Sequence, residues 1–363
     1  MKRCRSLFAL LVHLALTVLL SSTANAQLDI VLNPGASLQS NAAALAAVER
    51  AASRWEALFT DNVTVNINVN FAPLAGSTLS EASSTVTSIP FDTLRTELVL
   101  DAVADGDTIT PLLPTFSQLN TVLPAGGNLS GNIQVNSATL RAIDEDNSLG
   151  IVFPPGLVDG VIEINSNSNF DFDNSDGLVT TSGAVGFDFE TVLAHEIGHV
   201  LGFASQVDPV DFDIQGGQLS PLEQPGLDFD IDISPLDLFR FETANIPTSA
   251  AEFTNNARVL NPGTASTFSD TITNLALSTG AFGGDGQQAS HFQDDSISGV
   301  TLGIFEPTFT PGQVVEISDA DILTLDLIGF NVAATAASIP EPSAMVVLGM
   351  VGLVASTRRR KRA

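Results

Sequence analysis

Residues 195–199 read His-Glu-Ile-Gly-His, within a stretch from Phe189 to Phe203 whose apolar residues recur at helical spacing. Side chains four apart on a helix share one face, so His195 and His199 can offer ring nitrogens to a single zinc ion. Glu196 stands beside the first imidazole, placed to take a proton from water rather than to ligate the metal. A catalytic zinc usually has three protein ligands and keeps one position for water. The other histidines are His13, in an N-terminal leader, and His291. His291 is therefore the expected third ligand, with Asp208 as the alternative. Ser205, six residues after His199, is a poor ligand because its hydroxyl would have to ionise, and Glu316 has Ala320 four residues on rather than an acid.

Several elements must hold these groups. Asn41–Phe59 reads as an amphipathic helix, Val63–Phe71 alternates as a half-buried strand, and Asp92–Ala104 and Val161–Asn165 suggest a second helix and strand. Asp188 is well placed to cap the helix carrying the two histidines. After Ser205 glycine, proline and aspartate are frequent, until Ser318–Ile328 suggests a closing helix that stops at Gly329. The fold class expected is α+β, a mixed twisted sheet with an active-site helix and a loop-rich C-terminal subdomain. Residues 27–335 form the expected domain, with an N-terminal subdomain to about 204 and the rest from 205 to 335.

The chain has 363 residues, 44% of them apolar, which is enough for a substantial core. Its formal charge is −27, and this argues against a nucleic-acid partner, which needs clustered Lys and Arg. Residues 27–339 hold 40 acidic side chains and six arginines, a net −34 that favours cations over anionic polymers. The one cysteine, Cys4, lies in the leader, so neither disulfides nor a cysteine-ligated zinc site is available. With no Tyr, an oxyanion would fall to the metal, backbone N–H groups or an arginine.

Both ends read as addresses. Residues 1–26 have a basic start, an apolar run from Leu7 to Leu20, and Ala24-Asn25-Ala26, the pattern of a signal peptide cleaved before Gln27. The C-terminus has Pro340-Glu341-Pro342, an apolar run, and the basic cluster Arg358–Arg362. Its apolar stretch, about 14 residues, is short for a membrane span, which usually needs ~20. Taken together, residues 336–363 resemble the PEP-CTERM sorting signal. That resemblance implies processing by an exosortase after transient membrane anchoring. It also implies delivery to the cell surface or extracellular matrix of a Gram-negative bacterium.

The motif His-Glu-x-x-His-x-Leu-Gly-Phe, a long insertion, and then Ser290-His291-Phe292 resemble the leishmanolysin-like branch of the metzincin metalloproteases. In that branch the third zinc histidine also lies far downstream, followed by a turn with Met beneath the metal. Here Phe305, in Phe305-Glu306-Pro307, stands at the Met position. The resemblance implies a zincin fold, Zn2+ held by His195, His199 and His291, and an exported endopeptidase acting on protein or peptide substrates with Glu196 as general base. The alternative is a non-catalytic matrix or adhesion protein that keeps the zincin scaffold. Asp171–Gly177 hints at a structural Ca2+ loop, although its register departs from the EF-hand pattern, and Asp228–Asp232 alternates like a strand.

Overall fold

A computed structural model describes residues 27–333, apart from 106, 125–126, 174–179, 182–183, 216–228 and 269–273. The expected leader and sorting segment lie outside the described residues, as do 174–177 of the suggested calcium loop and Asp228. Among the described residues, no helix is long and apolar enough to cross a membrane.

The fold is mixed α+β with several sheets. One contains β1 (Asp29–Pro34), β2 (Thr64–Ala72), β3 (Ser80–Ser84) and β4 (Gly160–Asn165) in the order β1-β2-β4-β3. Its first three strands are parallel, and β3 closes one edge antiparallel to β4. The alternation along β2 turns Val65, Ile67 and Val69 into the core and leaves Thr64, Asn66, Asn68 and Asn70 on the more exposed face.

Helix α1 (Ala42–Glu56) is capped by Asn41, whose Oδ1 accepts the N–H groups of Ala43 and Ala44 at 3.1 and 3.2 Å. Its buried stripe is Ala44, Ala47, Val48, Ala51, Ala52 and Trp55. Small residues at most of these positions let α2 (Phe189–Leu201) approach closely, and the Trp55 indole N–H donates to the Ala194 carbonyl at 2.8 Å. Asp188 caps α2 as expected, accepting the Thr191 N–H at 2.9 Å, and Gly202 ends it at φ 143°. Side chains also cover the last carbonyls. Asn136 Nδ2 donates to those of His199 and Val200 at 2.9 and 3.1 Å, and the Thr139 hydroxyl to that of Leu201.

The helical pattern in 189–203 suggested an amphipathic helix, but every residue of α2 except His199 is buried. Helix α1 and the sheet cover one flank, while segments from the C-terminal half cover the other. That half holds α3 (Val207–Gln215), α4 (Asp319–Leu327) and a five-stranded sheet of two- and three-residue strands. One of its strands, Thr121–Val122, comes from before α2 and pairs with Arg258–Val259. Likewise Phe229–Ile233 pairs with Gly127–Asn136. The chain returns to α1 after α4, where Asn331 donates from its backbone and side chain to the buried Asp61 carboxylate at 3.1–3.2 Å.

Candidate metal centre

The two histidines of α2 meet His291 at the seam between the helix and the C-terminal half. Their Nε2 atoms lie 3.0 Å apart for His195–His199, 3.2 Å for His195–His291 and 3.3 Å for His199–His291. Each Nδ1 faces a backbone carbonyl: Ile304 at 2.7 Å from His195, Phe203 at 2.7 Å from His199, and Gln288 at 3.1 Å from His291. A carbonyl can only accept, so each ring carries its proton on Nδ1 and presents a lone pair on Nε2. Three lone pairs converging this closely repel one another unless a cation shares them. Tetrahedral zinc with Zn–N near 2.0–2.1 Å sets its nitrogens about 3.3 Å apart, so the donor set fits Zn2+ in number, chemistry and spacing. Together His195, His199 and His291 form a largely buried cluster able to hold a metal ion such as Zn2+.

The electrostatics agree with neutral ligands. Burial is the main cause in all three rings. With its imidazole neighbours it holds His195 well below the ordinary histidine range, lowers His199 to about 4, and with His199 nearby lowers His291 to about 3. Metal ligation requires unprotonated imidazole, so the fold prepares the rings for it.

Different segments fix each ring. His291 sits on a loop tied down at several points. The Asp208 carboxylate accepts the N–H groups of Ala281 at 2.7 Å and Ala289 at 2.5 Å. Arg240, itself buried, donates to the Ala289 and Ser278 carbonyls, and Ser290 Oγ accepts the Ser205 N–H. His195 depends on Ile304, whose N–H donates at 2.8 Å to Asp321, the acid that also accepts from Ser318 at the start of α4. Asp208 therefore shapes the His291 loop and is not among the converging donors. Ser205 donates to Asp237, and the largely exposed Glu316 pairs with Arg54.

Phe305 lies beneath the two α2 imidazoles, with ring centroids 5.7 Å from His199 and 6.3 Å from His195. It stacks on Phe203 at 3.8 Å and on Trp55 at 5.9 Å. A Cβ on Gly198 would fall 2.5 Å from Phe305 Cζ and 3.1 Å from Trp55 Cζ2, so this apolar floor requires glycine there. No family model, curated protein or solved structure matches this chain. What identifies the site is its own donor geometry.

Glu196 is buried, and the Ser80 hydroxyl of edge strand β3 donates to its Oε1 at 2.5 Å. Loss of solvent pushes its carboxyl up to about 7; the Ser80 hydrogen bond opposes the rise and nearby Glu81 adds to it. Ser80 carries no signal in the sequence, because Ser-Glu-Ala-Ser-Ser lacks the apolar alternation that marks a strand. The six arginines are all engaged elsewhere: Arg50 with Glu190, Arg54 with Glu316, Arg141 with Asp159, and Arg95, Arg240 and Arg258 with backbone carbonyls. Of the described segment Asp171–Asp173, Asp171 Oδ1 accepts the Asp173 N–H.

Proposed function

We propose that this chain is an exported, zinc-dependent endopeptidase of the zincin type, with Glu196 as general base. The observation that carries this reading is the convergence of three Nε2 lone pairs in rings whose Nδ1 protons are already committed to carbonyls. His195, His199 and His291 would hold the metal. When bound, zinc supplies Lewis acidity, polarising a carbonyl and making water a better acid.

The protein's own groups do the rest. Glu196, one oxygen engaged by Ser80, has the other free to accept a proton from water and return it to the leaving amine. The walls of buried apolar groups around the rings, Phe203, Phe292 and Phe305 among them, limit water and strengthen each electrostatic contact. Protein or peptide chains are the proposed substrate, and the two end segments are proposed to direct export and exosortase processing at a Gram-negative cell surface.

The test is digestion of casein or gelatin by the purified chain, with and without a chelator, beside Glu196→Gln. Hydrolysis that needs zinc and falls by roughly 100-fold or more in Glu196→Gln, with zinc still bound, is the expected result. A zinc-loaded wild-type chain that cuts neither protein would instead support the non-catalytic scaffold.

A further inference from the structure

We propose that Ser80 is a positioning residue for Glu196, holding one carboxylate oxygen so that the other is presented to the substrate side of the metal centre. The proposal rests on the reading of Glu196 as the proton acceptor.

The strand register puts Ser80 in this role. In the antiparallel pair of β3 and β4, Ser80 lies opposite Ile164, Ala82 opposite Ile162 and Ser84 opposite Gly160. Ile164, Ile162 and Gly160 are buried, so the face shared by Ser80, Ala82 and Ser84 is the one that α2 covers. Alternate residues Glu81 and Ser83 point the other way and are exposed. All three inward residues of β3 are small. The edge strand therefore comes within hydrogen-bond reach of the helix, and Ser80 Oγ meets Glu196 Oε1 at 2.5 Å. Among the described residues, Ser80 is the only hydrogen-bond partner of that carboxyl.

A serine hydroxyl has a single proton to donate, and here it goes to Oε1. Oε2 keeps its lone pairs. A glutamate has three rotatable side-chain bonds, and an unrestrained one samples several rotamers. Misplacing a reacting group by about 1 Å can cost 100-fold in rate, so a bond that selects one rotamer has a direct effect on proton transfer. Backbone atoms do not supply it, which makes the function removable by one substitution.

The test uses the full zinc-loaded chain and acetohydroxamate, a small chelating acid whose hydroxyl proton would pass to Glu196 on binding if that carboxylate is the proton acceptor. Its dissociation constant is measured by calorimetry for wild type, Ser80→Ala, Ser80→Thr, Glu196→Gln and the Ser80→Ala/Glu196→Gln pair. Ser80→Ala should weaken binding by roughly 10-fold, as expected for a lost hydrogen bond to a charged group, and Ser80→Thr should restore it. In the Glu196→Gln background the serine substitution should have no further effect, because the two residues act as a unit. Zinc content should be equal throughout. In peptide hydrolysis, Ser80→Ala should lower kcat and leave KM unchanged.

Wild-type affinity for acetohydroxamate in Ser80→Ala overturns the proposal, as does an equal loss in both backgrounds, which would mark a general structural role. Failure of the wild-type chain to bind acetohydroxamate overturns it as well. If wild type cuts no peptide yet the binding cycle behaves as stated, the peptidase reading fails and the positioning role of Ser80 stands.

Discussion

Asp208 Oδ2 accepts the backbone N–H of Ala289 at 2.5 Å, two residues before His291, while its Oδ1 holds Ala281. One carboxylate thus pins both arms of the loop that carries the third imidazole. The same residue looked, by its nearness to His199 in sequence, like a candidate ligand.

The two roles separate by zinc affinity, measured in competition with a chelator of known strength. Asp208→Ala should weaken zinc by roughly 10-fold, the scale of outer-sphere support, through a loosened loop. His291→Ala should lose more than about 100-fold, since a direct donor disappears. Equal losses in the two variants would make Asp208 a ligand; unchanged affinity in His291→Ala would place the third donor elsewhere.

Gly198→Ala tests the floor beneath the histidines. The new methyl would collide with the Phe305 ring and press on Trp55, so packing must shift in the layer directly beneath His195 and His199. Overpacking of this kind costs about 1–3 kcal/mol, read as a lower urea midpoint. Trp55 is the only tryptophan in the chain and is fully buried, so its emission should report the disturbance. A variant as stable as wild type with the same emission maximum would contradict the packing described.

Asp61 gives a pH-dependent stability with a definite sign. Burial raises its carboxyl from 3.8 to about 6, against the hydrogen bonds from Asn331. The folded state then binds more protons than the unfolded chain between about pH 4 and 6, so this group favours folding at low pH and the benefit fades as pH rises through that window. Asp61→Asn lacks the titration. Its stability relative to wild type should therefore improve by roughly 2–3 kcal/mol between pH 4 and 7 in urea melts. A difference that stays constant with pH would show that Asp61 does not titrate as described.

Legibility in the sequence followed element length. Helices α1, α2 and α4 were readable from their periodic apolar positions, and for α2 the expected cap Asp188 agreed with them and accepts the Thr191 N–H. The caps Asn41 and Ser318 are seen in the structure. Strand β2 was readable from its strict alternation. Strand β3 was not, since small polar residues at an edge leave no period, and Ser80 was hidden with it. In the five-stranded sheet, strands of two or three residues such as Arg240–Glu242 and Leu275–Leu277 are too short to show a pattern. The three histidines were legible because so few exist; the loop ties that bring His291 to the others are long-range contacts, with no local trace.

The acceptors that orient the three rings are all main-chain oxygens, on Phe203, Gln288 and Ile304. A substitution at any of those positions changes a side chain and leaves the oxygen in place. Ring direction is therefore inherited from the path of the backbone, and the side chains that matter to it are the ones that hold that path, Asp208 and Arg240 under the His291 loop and Asp321 under Ile304.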